Sequence, residues 1–328
     1  MGELFRMNWA AFDPISGIKA GVAAVIVFGL MAVTGESWIA TGLVILFAWL
    51  TNVPGSLKSR LSGHVAFAVG AIALTYLSGW MGLELWPNTI AIVIIAFLGT
   101  LLLALGTRAY MVGYVLICWA IYGPFLVASS SVTNCVLAIL VGTGAIIVTP
   151  VLGSFFEKAD PPTQESPPTE PDFAAAVPYS ATVAIALGFT TWLGWVTLET
   201  DPTMIVGGAF FIIGFDAIKT WVAGIARVIG ILIGIALGLA VSPTLPPGLL
   251  TDAVVIGTLF LCFAAGGINP AFFMLFFMFL ISLGWSALEP ALLELTFQER
   301  VFGEGSGVFV GMVAIAMLQW LQSREARS

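Results

Sequence analysis

The chain has 328 residues, of which 59% are hydrophobic and only 9% charged, and its mean hydropathy is +1.06. Soluble domains carry about a quarter charged residues, so this composition excludes a soluble fold. The net charge of -7 comes from acidic loops and gives no indication of nucleic-acid binding. The three cysteines, Cys118, Cys135 and Cys262, lack the spacing of metal ligands and are expected to pack as small hydrophobic residues.

Long stretches without a formal charge recur along the chain, and a bilayer core is crossed by roughly 20 apolar residues per helix. The stretch from Ala109 to Phe156 predicts two helices with a break at Ser129–Asn134. The stretch from Ala253 to Leu288 predicts two more, with a break at Gly266–Pro270. We therefore predict an all-α membrane protein with about twelve spans, near 16–34, 37–53, 61–80, 86–104, 109–127, 133–152, 176–197, 203–219, 223–242, 248–265, 270–287 and 304–321.

The distribution of cations predicts the orientation of these spans. Ten of the eleven Lys and Arg residues fall on the side that holds the N terminus, and only Arg300 falls on the other. Because cations concentrate in cytoplasmic loops, both termini are predicted to be cytoplasmic, in a bacterial inner membrane. The first apolar run has no small-residue cleavage site and is followed directly by another, so we expect a helix rather than a signal peptide.

The order of features repeats on either side of a linker. Residues 153–175 are rich in proline and carboxylates, cannot form a packed core, and predict a cytoplasmic linker. A first six-helix repeat is predicted at 1–152 and a second at 176–328, and aligning Arg60 with Arg227 also aligns Gly63 with Gly230. Six spans per half give the halves one orientation, so we expect a pseudo-twofold axis along the membrane normal and a pathway between the halves.

The second helix of each half is unusually short. Its apolar part covers 14 residues from Ser37 to Leu50 in the first half and 14 from Pro202 to Phe215 in the second. Short or interrupted spans at matching positions indicate a transporter site, although ordinary short spans with snorkelling ends are an equal alternative. Thr51 and Asn52 follow the first of these helices, where we expect loosened backbone that can meet an ion.

An arginine opens the third helix of each half, at Arg60 and Arg227. A cation is mildly unfavourable at a helix start, so its presence requires another reason. One reason is an anion site, because free amides and a guanidinium together bind a carboxylate. The other is topology alone. The predicted anion-binding set is Arg60, Arg227, Lys58, Lys219, Thr51 and Asn52.

Ionisable groups at membrane depth are candidates for proton coupling. His64 is the only histidine in the chain and lies four residues after Arg60, hence on the same helix face. Its ordinary titration range would suit a proton relay, but a lone histidine is more often a packed residue. The full set of candidates is His64, Asp216 and Glu304, with Asp252 as a further rival, and each acidic residue could instead cap a helix.

Glycines at four-residue spacing predict close packing between helices. Gly230, Gly234 and Gly238 form such a stripe on the third helix of the second half, and Gly63 and Gly70 remain in the first. Small residues at this spacing let membrane helices approach one another closely.

The run Arg227-Val-Ile-Gly-Ile-Leu-Ile-Gly-Ile-Ala-Leu-Gly resembles the R-x-x-G-T-x-x-G-x-x-x-G signature of the fusaric acid resistance-like (FUSC) superfamily. That group includes bacterial aromatic acid exporters and plant aluminium-activated malate transporters. Ile231 replaces the usual threonine, and the first half departs further, reading Arg60-Leu-Ser-Gly63-His64. The resemblance implies a short twelve-helix member without the cytoplasmic domain, an exporter of organic anions, and a periplasmic membrane-fusion partner of the HlyD type.

These observations predict a permease that exports aromatic or hydrophobic carboxylates by secondary, proton-coupled transport, without cofactor or metal. A homo-oligomer is a further expectation. None of the four lysines follows a glycine, so no P-loop is present. A passive anion channel like the plant malate transporters is the alternative, since it needs the same basic mouth. A membrane enzyme is disfavoured because the chain has one histidine and scattered carboxylates. A scaffold without transport would leave substrate accumulation unchanged in a deletion strain.

Overall fold

The computed structural model describes residues 7–34, 39–53, 56–156, 172–198, 202–213, 221–246, 248–288 and 296–325. Over these ranges the chain forms helices and no strand, which confirms the predicted all-α membrane class. The α-helices are α1 (Pro14–Thr34), α2 (Ile39–Leu50), α3 (Leu57–Met81), α4 (Leu85–Leu101), α5 (Thr107–Ser129), α6 (Val132–Phe156), α7 (Phe173–Thr197), α8 (Thr203–Ile213), α9 (Trp221–Val241), α10 (Leu249–Ala265), α11 (Pro270–Leu288) and α12 (Thr296–Glu325).

Eight helices in the described ranges are long and apolar enough to cross a membrane. The apolar segments Thr203–Ile213, Leu249–Ala265 and Ala271–Leu283 are shorter, and α2 has only 12 residues. Within the described ranges α2 covers 12 residues and α8 covers 11. The chain is a multi-pass membrane protein.

The two predicted breaks are confirmed. Helix α5 ends at Ser129 and α6 begins at Val132, while α10 ends at Ala265 and α11 begins at Pro270. Proline is favoured at the first position of a helix because its missing amide would have no partner there. Helix α12 differs from its prediction, beginning at Thr296 instead of 304. Charged residues end an apolar window, but Gln, Glu and Arg are good helix formers and extend the helix beyond it.

The helices group into two compact units, each built from separate parts of the chain. The first unit comprises Met1–Leu46, Leu140–Thr149 and Lys219–Val301. The second comprises Phe47–Ile139, Pro150–Ile218 and Phe302–Ser328. Each unit therefore draws helices from both the first and the second half of the sequence.

The same helix pairings occur in both units, six helices apart. In the second unit α3 packs against α5, α4 against α5, and α4 against α7. In the first unit α9 packs against α11, α10 against α11, and α10 against α1. Adding six to each helix number, and returning to α1 after α12, converts one set of pairs into the other.

The second unit is centred on α5. Trp119 on this helix is fully buried, and its Nε1 donates a hydrogen bond of 3.0 Å to Oγ1 of Thr75 on α3. Apolar residues on the opposite side of α3 are exposed, including Val69 at 64% and Trp80 at 83%. A buried side that contains polar groups and an exposed apolar side are the pattern expected where lipid replaces water.

Candidate functional site

The break between α2 and α3 is where polar side chains gather. Helix α2 ends at Leu50, and the hydroxyl of Thr51 donates a 2.7 Å hydrogen bond to the carbonyl oxygen of Ala48. The backbone amide of Asn52 donates to the carbonyl oxygen of Trp49 at 2.9 Å. These bonds satisfy carbonyls that the end of the helix leaves without an intrahelical partner.

Helix α3 begins with a capping serine and lies close to the end of α2. The hydroxyl oxygen of Ser56 accepts a 3.3 Å hydrogen bond from the amide of Ser59, as an N-cap residue does. A Cβ atom on Gly63 would lie 3.1 Å from the carbonyl oxygen of Thr51, so glycine allows this approach. The approach brings the first two turns of α3 against residues 51 and 52.

His64 on α3 contacts Thr51 directly. Nδ1 of His64 and Oγ1 of Thr51 are 2.8 Å apart, and both side chains are fully buried. Arg60 lies one turn earlier on α3, and its Nε donates a 2.8 Å hydrogen bond to Oδ1 of Asn52. We call Thr51, Asn52, Arg60 and His64 the α2–α3 cluster.

The cluster unites residues that the sequence suggested for two different roles. Thr51, Asn52 and Arg60 belong to the predicted anion-binding set, and His64 is one of the candidates for proton coupling. Lys58 lies in the first turn of α3 with an exposed side chain. An arginine, an amide, a hydroxyl and an imidazole at one helix break can bind an anion and exchange a proton.

Aromatic side chains pack beside the cluster. Phe47, one turn before Thr51 on α2, is fully buried in the second unit. Its ring lies edge-on to Trp119 with the ring centres 6.3 Å apart, and it stacks on Tyr122 at 6.4 Å. An apolar aromatic environment thus begins one helical turn from the polar groups.

The remaining predicted site residues are Lys219, Asp216, Arg227, Asp252 and Glu304. Lys219 and Asp216 fall outside the described residues. Arg227 is 8% exposed and belongs to α9 of the first unit, whereas Arg60 belongs to the second unit. Asp252 lies in the first turn of α10.

Glu304 on α12 is buried at 5% exposure in the second unit. It packs against the short helix α8, where a Cβ on Gly208 would lie 3.0 Å from its Oε2 and 2.6 Å from its carbonyl oxygen. Every residue of α8 from Thr203 to Ile213 is buried. Gly208 therefore provides the space in which an acidic side chain fits against an encased helix.

The glycines predicted to mediate packing face neighbouring helices. In the first unit Gly230, Gly234 and Gly238 of α9 lie against Ala271, Leu275 and Ser282 of α11. In the second unit a Cβ on Gly70 would lie 2.6 Å from the Leu116 side chain of α5.

The sequence interpretation missed a pair of tyrosines at the end of α8. The hydroxyl of Tyr179 on α7 donates a 3.1 Å hydrogen bond to the carbonyl oxygen of Ile213, the last residue of α8. The hydroxyl of Tyr110 on α5 lies 3.1 Å from that of Tyr179. No local pattern signals a hydrogen bond from a distant helix, so only the fold could reveal it.

A small crevice lies between α4, α5 and α7 in the second unit. Asn88, Phe125, Thr191 and Trp195 contribute to its lining. Its volume of about 10 Å³ is near the minimum that holds one water molecule. It is too small for an organic anion, so it does not compete with the α2–α3 cluster.

In the described ranges no three His, Cys, Asp or Glu residues lie close enough together to hold a metal ion. The three cysteines are buried and not paired with one another. The α2–α3 cluster offers a ligand an amide, a hydroxyl, an imidazole and a guanidinium group.

A family model described as "Fusaric acid resistance protein-like" matches residues 183–314. The match runs from within α7 to within α12 and includes Arg227 and the glycine stripe of α9. No curated protein and no solved structure matches the chain. The family indicates membrane transport or efflux in general. The chain is therefore similar to the fusaric acid resistance protein-like family over residues 183–314.

Proposed function

We propose that the chain is an inner-membrane permease that exports organic anions, chiefly aromatic or hydrophobic carboxylates, by secondary, proton-coupled transport. The observation that carries this proposal is the position of the Arg60 guanidinium at the break between α2 and α3. Its Nε is held by Asn52 at 2.8 Å. Its two terminal nitrogens make no hydrogen bond within the described part of the chain.

A guanidinium held in this way is prepared for a carboxylate. The bond from Nε to Asn52 fixes the plane of the group, so its terminal nitrogens remain available as paired donors. Arg60 is half-buried, so part of its hydration is already removed. Charge-assisted bonds from arginine to carboxylate are roughly twice as strong as neutral hydrogen bonds, and two parallel bonds also fix the ligand's orientation.

The helix start adds to this attraction. The first amides of a helix have no intrahelical partner and carry the positive end of the helix dipole. Ser56 satisfies the amide of Ser59, while Arg60 follows in the same turn of α3. An anion beside Arg60 would therefore meet both the guanidinium and the amino-terminal end of α3.

The aromatic part of the proposed substrate is supported by the surroundings of α2. Phe47, Trp119 and Tyr122 form a buried group one turn from Thr51. Aromatic faces and edges accept a further ring in stacked or edge-on arrangement, each contact contributing about 0.5–1.5 kcal/mol beyond area burial. A carboxylate with an attached ring thus fits this site better than a small inorganic anion.

The pairing of helices supports two equivalent repeats with a transport site in each. Arg60 lies in the first turn of α3, whereas α9 begins at Trp221, so Arg227 lies farther inside its helix than the sequence predicted. The two helices nevertheless make matching contacts with α5 and α11. Both short helices α2 and α8 contain buried stretches, Val44 to Trp49 and Thr203 to Ile213. Short helices encased by protein are typical of transporter binding sites.

Transport is best tested with benzoate, a simple aromatic carboxylate, in everted membrane vesicles. Export appears there as uptake into the lumen, and vesicles from cells lacking the chain supply the background of passive entry. Arg60→Gln should lower the initial rate by at least tenfold, and Arg60→Lys should restore it only in part because lysine lacks the planar fork. Lys19→Gln, which removes a cation of α1 outside the site, is the control and should keep the wild-type rate.

An imposed pH difference separates the proposal from a channel. A proton-coupled carrier changes its rate when the pH difference is altered at constant membrane potential. A channel follows the potential and ignores the pH difference. Rates that do not respond to pH, or a fully active Arg60→Gln protein present at normal levels, would overturn the corresponding part of the proposal.

The proposal extends to a periplasmic membrane-fusion partner of the HlyD type and to a homo-oligomer. Both follow from the resemblance to exporters of this family rather than from a surface of the chain. Cross-linking in intact cells, followed by identification of the attached chains, tests both. Capture of neither a fusion protein nor a second copy would remove these partners.

A further inference from the structure

His64 occupies a position in which its two ring nitrogens have different surroundings. It is the only histidine in the chain and is fully buried on α3. Nδ1 lies 2.8 Å from the hydroxyl oxygen of Thr51. Nε2 is also buried, and no hydrogen-bond partner reaches it from the described residues.

The hydrogen bonds of Thr51 determine which nitrogen carries the proton. A threonine hydroxyl has one proton to donate, and that proton is directed to the carbonyl oxygen of Ala48 at 2.7 Å. Oγ1 of Thr51 therefore acts as the acceptor in its contact with His64. Nδ1 of His64 must then carry a hydrogen, and in the neutral ring Nε2 is left with a bare lone pair.

A bare, buried lone pair has a cost and a chemical preference. A buried polar atom without a partner costs about 1–3 kcal/mol. An unprotonated Nε2 repels the lone pairs of an approaching carboxylate oxygen, whereas a protonated Nε2 donates a charge-assisted hydrogen bond to it. Because Nδ1 is already committed to Thr51, the ring can gain its second proton only at Nε2.

Within the described ranges, the other charged and titratable groups on the elements around His64 are cationic or neutral. On α3 itself Arg60 lies one turn earlier and acts on His64 electrostatically, and Lys58 lies in the first turn. The end of α2 offers Thr51 and Asn52, which do not titrate.

Helix α5, which packs along α3, carries Arg108 and Tyr110 near its start, and neither forms a hydrogen bond with His64. A second positive charge at His64 is unfavourable beside Arg60 and becomes favourable once an anion neutralises Arg60.

We infer that His64 takes up one proton at Nε2 together with each carboxylate that binds Arg60, so that proton and anion move as a pair in the same direction. This inference rests on the proposed function and specifies its coupling. A proton from water forms an N–H bond at Nε2 as the carboxylate enters, and it returns to water when the carboxylate leaves. The carboxylate accepts two hydrogen bonds from the terminal nitrogens of Arg60, and one of its oxygens also accepts a hydrogen bond from Nε2–H.

Pairing of this kind makes export respond to the substrate's own gradient. The site takes up one negative charge with the carboxylate and one positive charge with the proton. Its net charge is therefore the same in the loaded state as in the empty state. Acid outside the cell would therefore oppose export, whereas exchange of an anion for an incoming proton would be favoured by it.

The single histidine makes a direct test possible by nuclear magnetic resonance. The full chain, labelled with ¹⁵N at histidine and purified without a histidine tag, gives ring signals from one residue only. At neutral pH without ligand we expect a protonated Nδ1 and an unprotonated Nε2. Benzoate at the same pH should produce a protonated Nε2, and benzyl alcohol, which has the ring without the charge, should not.

Calorimetry in buffers of different ionisation enthalpy supplies the second readout. Benzoate binding should be accompanied by uptake of about one proton per anion. His64→Asn keeps a donor at the position of Nδ1 and removes the group at Nε2, so it should retain the fold and bind benzoate without proton uptake. His64→Gln, which places an amide near the position of Nε2, should also bind without proton uptake.

Three outcomes would overturn the inference. They are a ligand-free ring with hydrogen on Nε2 and none on Nδ1, benzoate binding without a change in ring protonation, and His64→Asn binding with full proton uptake. Failure of the proposed function is a different result, namely that benzoate neither binds the purified chain nor is transported by it. In that case the coupling inference, which rests on it, also fails.

Discussion

The hydroxyl of Thr51 and the imidazole of His64 form a 2.8 Å hydrogen bond that connects the end of α2 to the second turn of α3. Thirteen residues separate them in the chain, and both are fully buried. Together with the bond between Arg60 and Asn52, it holds residues 51 and 52 against α3. Each side chain of the cluster therefore has a hydrogen-bond partner within the cluster.

Removal of the Thr51 hydroxyl should destabilise this break. Thr51→Val keeps the size of the side chain but leaves Nδ1 of His64 without its acceptor. We expect a loss of about 0.6 kcal/mol, the average for hydrogen bonds between membrane helices, and of no more than about 1.7 kcal/mol. Thr51→Ser retains the hydroxyl and should remain near wild type. Unfolding of the purified proteins in detergent measures the difference. Equal stability of the two variants would show that the bond contributes nothing.

Alanine on the glycine stripe of α9 should separate α9 from α11. A Cβ on Gly230 would collide with the carbonyl oxygen of Ala271, which is backbone and cannot turn aside. We expect Gly230→Ala to lower stability by about 1–3 kcal/mol, as overpacking does. Gly257 on α10 has open space around its Cβ position, so Gly257→Ala is the matched control. Thermal aggregation followed by gel filtration compares them, and similar melting of both variants would contradict the prediction.

The tyrosine pair should contribute unequally to the end of α8. Tyr179 donates to the carbonyl oxygen of Ile213, so Tyr179→Phe leaves that terminal carbonyl without this partner. Tyr110 donates to the oxygen of Tyr179, and Tyr110→Phe leaves the bond to Ile213 intact. We expect Tyr179→Phe to cost about 1 kcal/mol and Tyr110→Phe less. Chemical unfolding of both variants tests the order, and a larger effect of Tyr110→Phe would reverse the assignment.

The two halves of the chain should depend on each other for folding. Each unit contains helices from both halves, for example α10 with α1 and α4 with α7. A chain cut within residues 157–171 should therefore assemble when both fragments are made in one cell. Either fragment alone should be degraded or aggregate. Copurification through a tag on one fragment gives the readout, and a stable, monodisperse single fragment would contradict it.

Much of the helical architecture could be predicted from the sequence because backbone polar groups inside a bilayer must form hydrogen bonds within the protein. An apolar stretch of sufficient length must form a helix, since no water satisfies its backbone groups. Polar and glycine-rich interruptions then mark the breaks, as Ser129–Asn134 and Gly266–Pro270 do. The predicted start of α12 is too late because the prediction followed the apolar residues alone. The helix also includes the charged residues that precede them.

The candidate site was only partly predictable. Residue types and helix positions singled out Arg60, Asn52, Thr51 and His64 one by one. Their hydrogen bonds depend on how closely α3 approaches α2, which is a property of packing around Gly63. The cap that Tyr179 provides for Ile213 could not be predicted, because it joins helices through tertiary structure alone.

The partnership of α1 with α10 has a consequence for synthesis of the chain. Helix α1 is made first, but Phe260 and Ala264, which lie against its Gly17, are among the later residues to emerge. At about 5–20 residues per second, roughly ten to fifty seconds pass between the synthesis of α1 and that of this neighbour. Lipid or the insertion machinery must shelter it during that interval, so a mutation that makes α1 less apolar would harm biogenesis before it affected the finished protein.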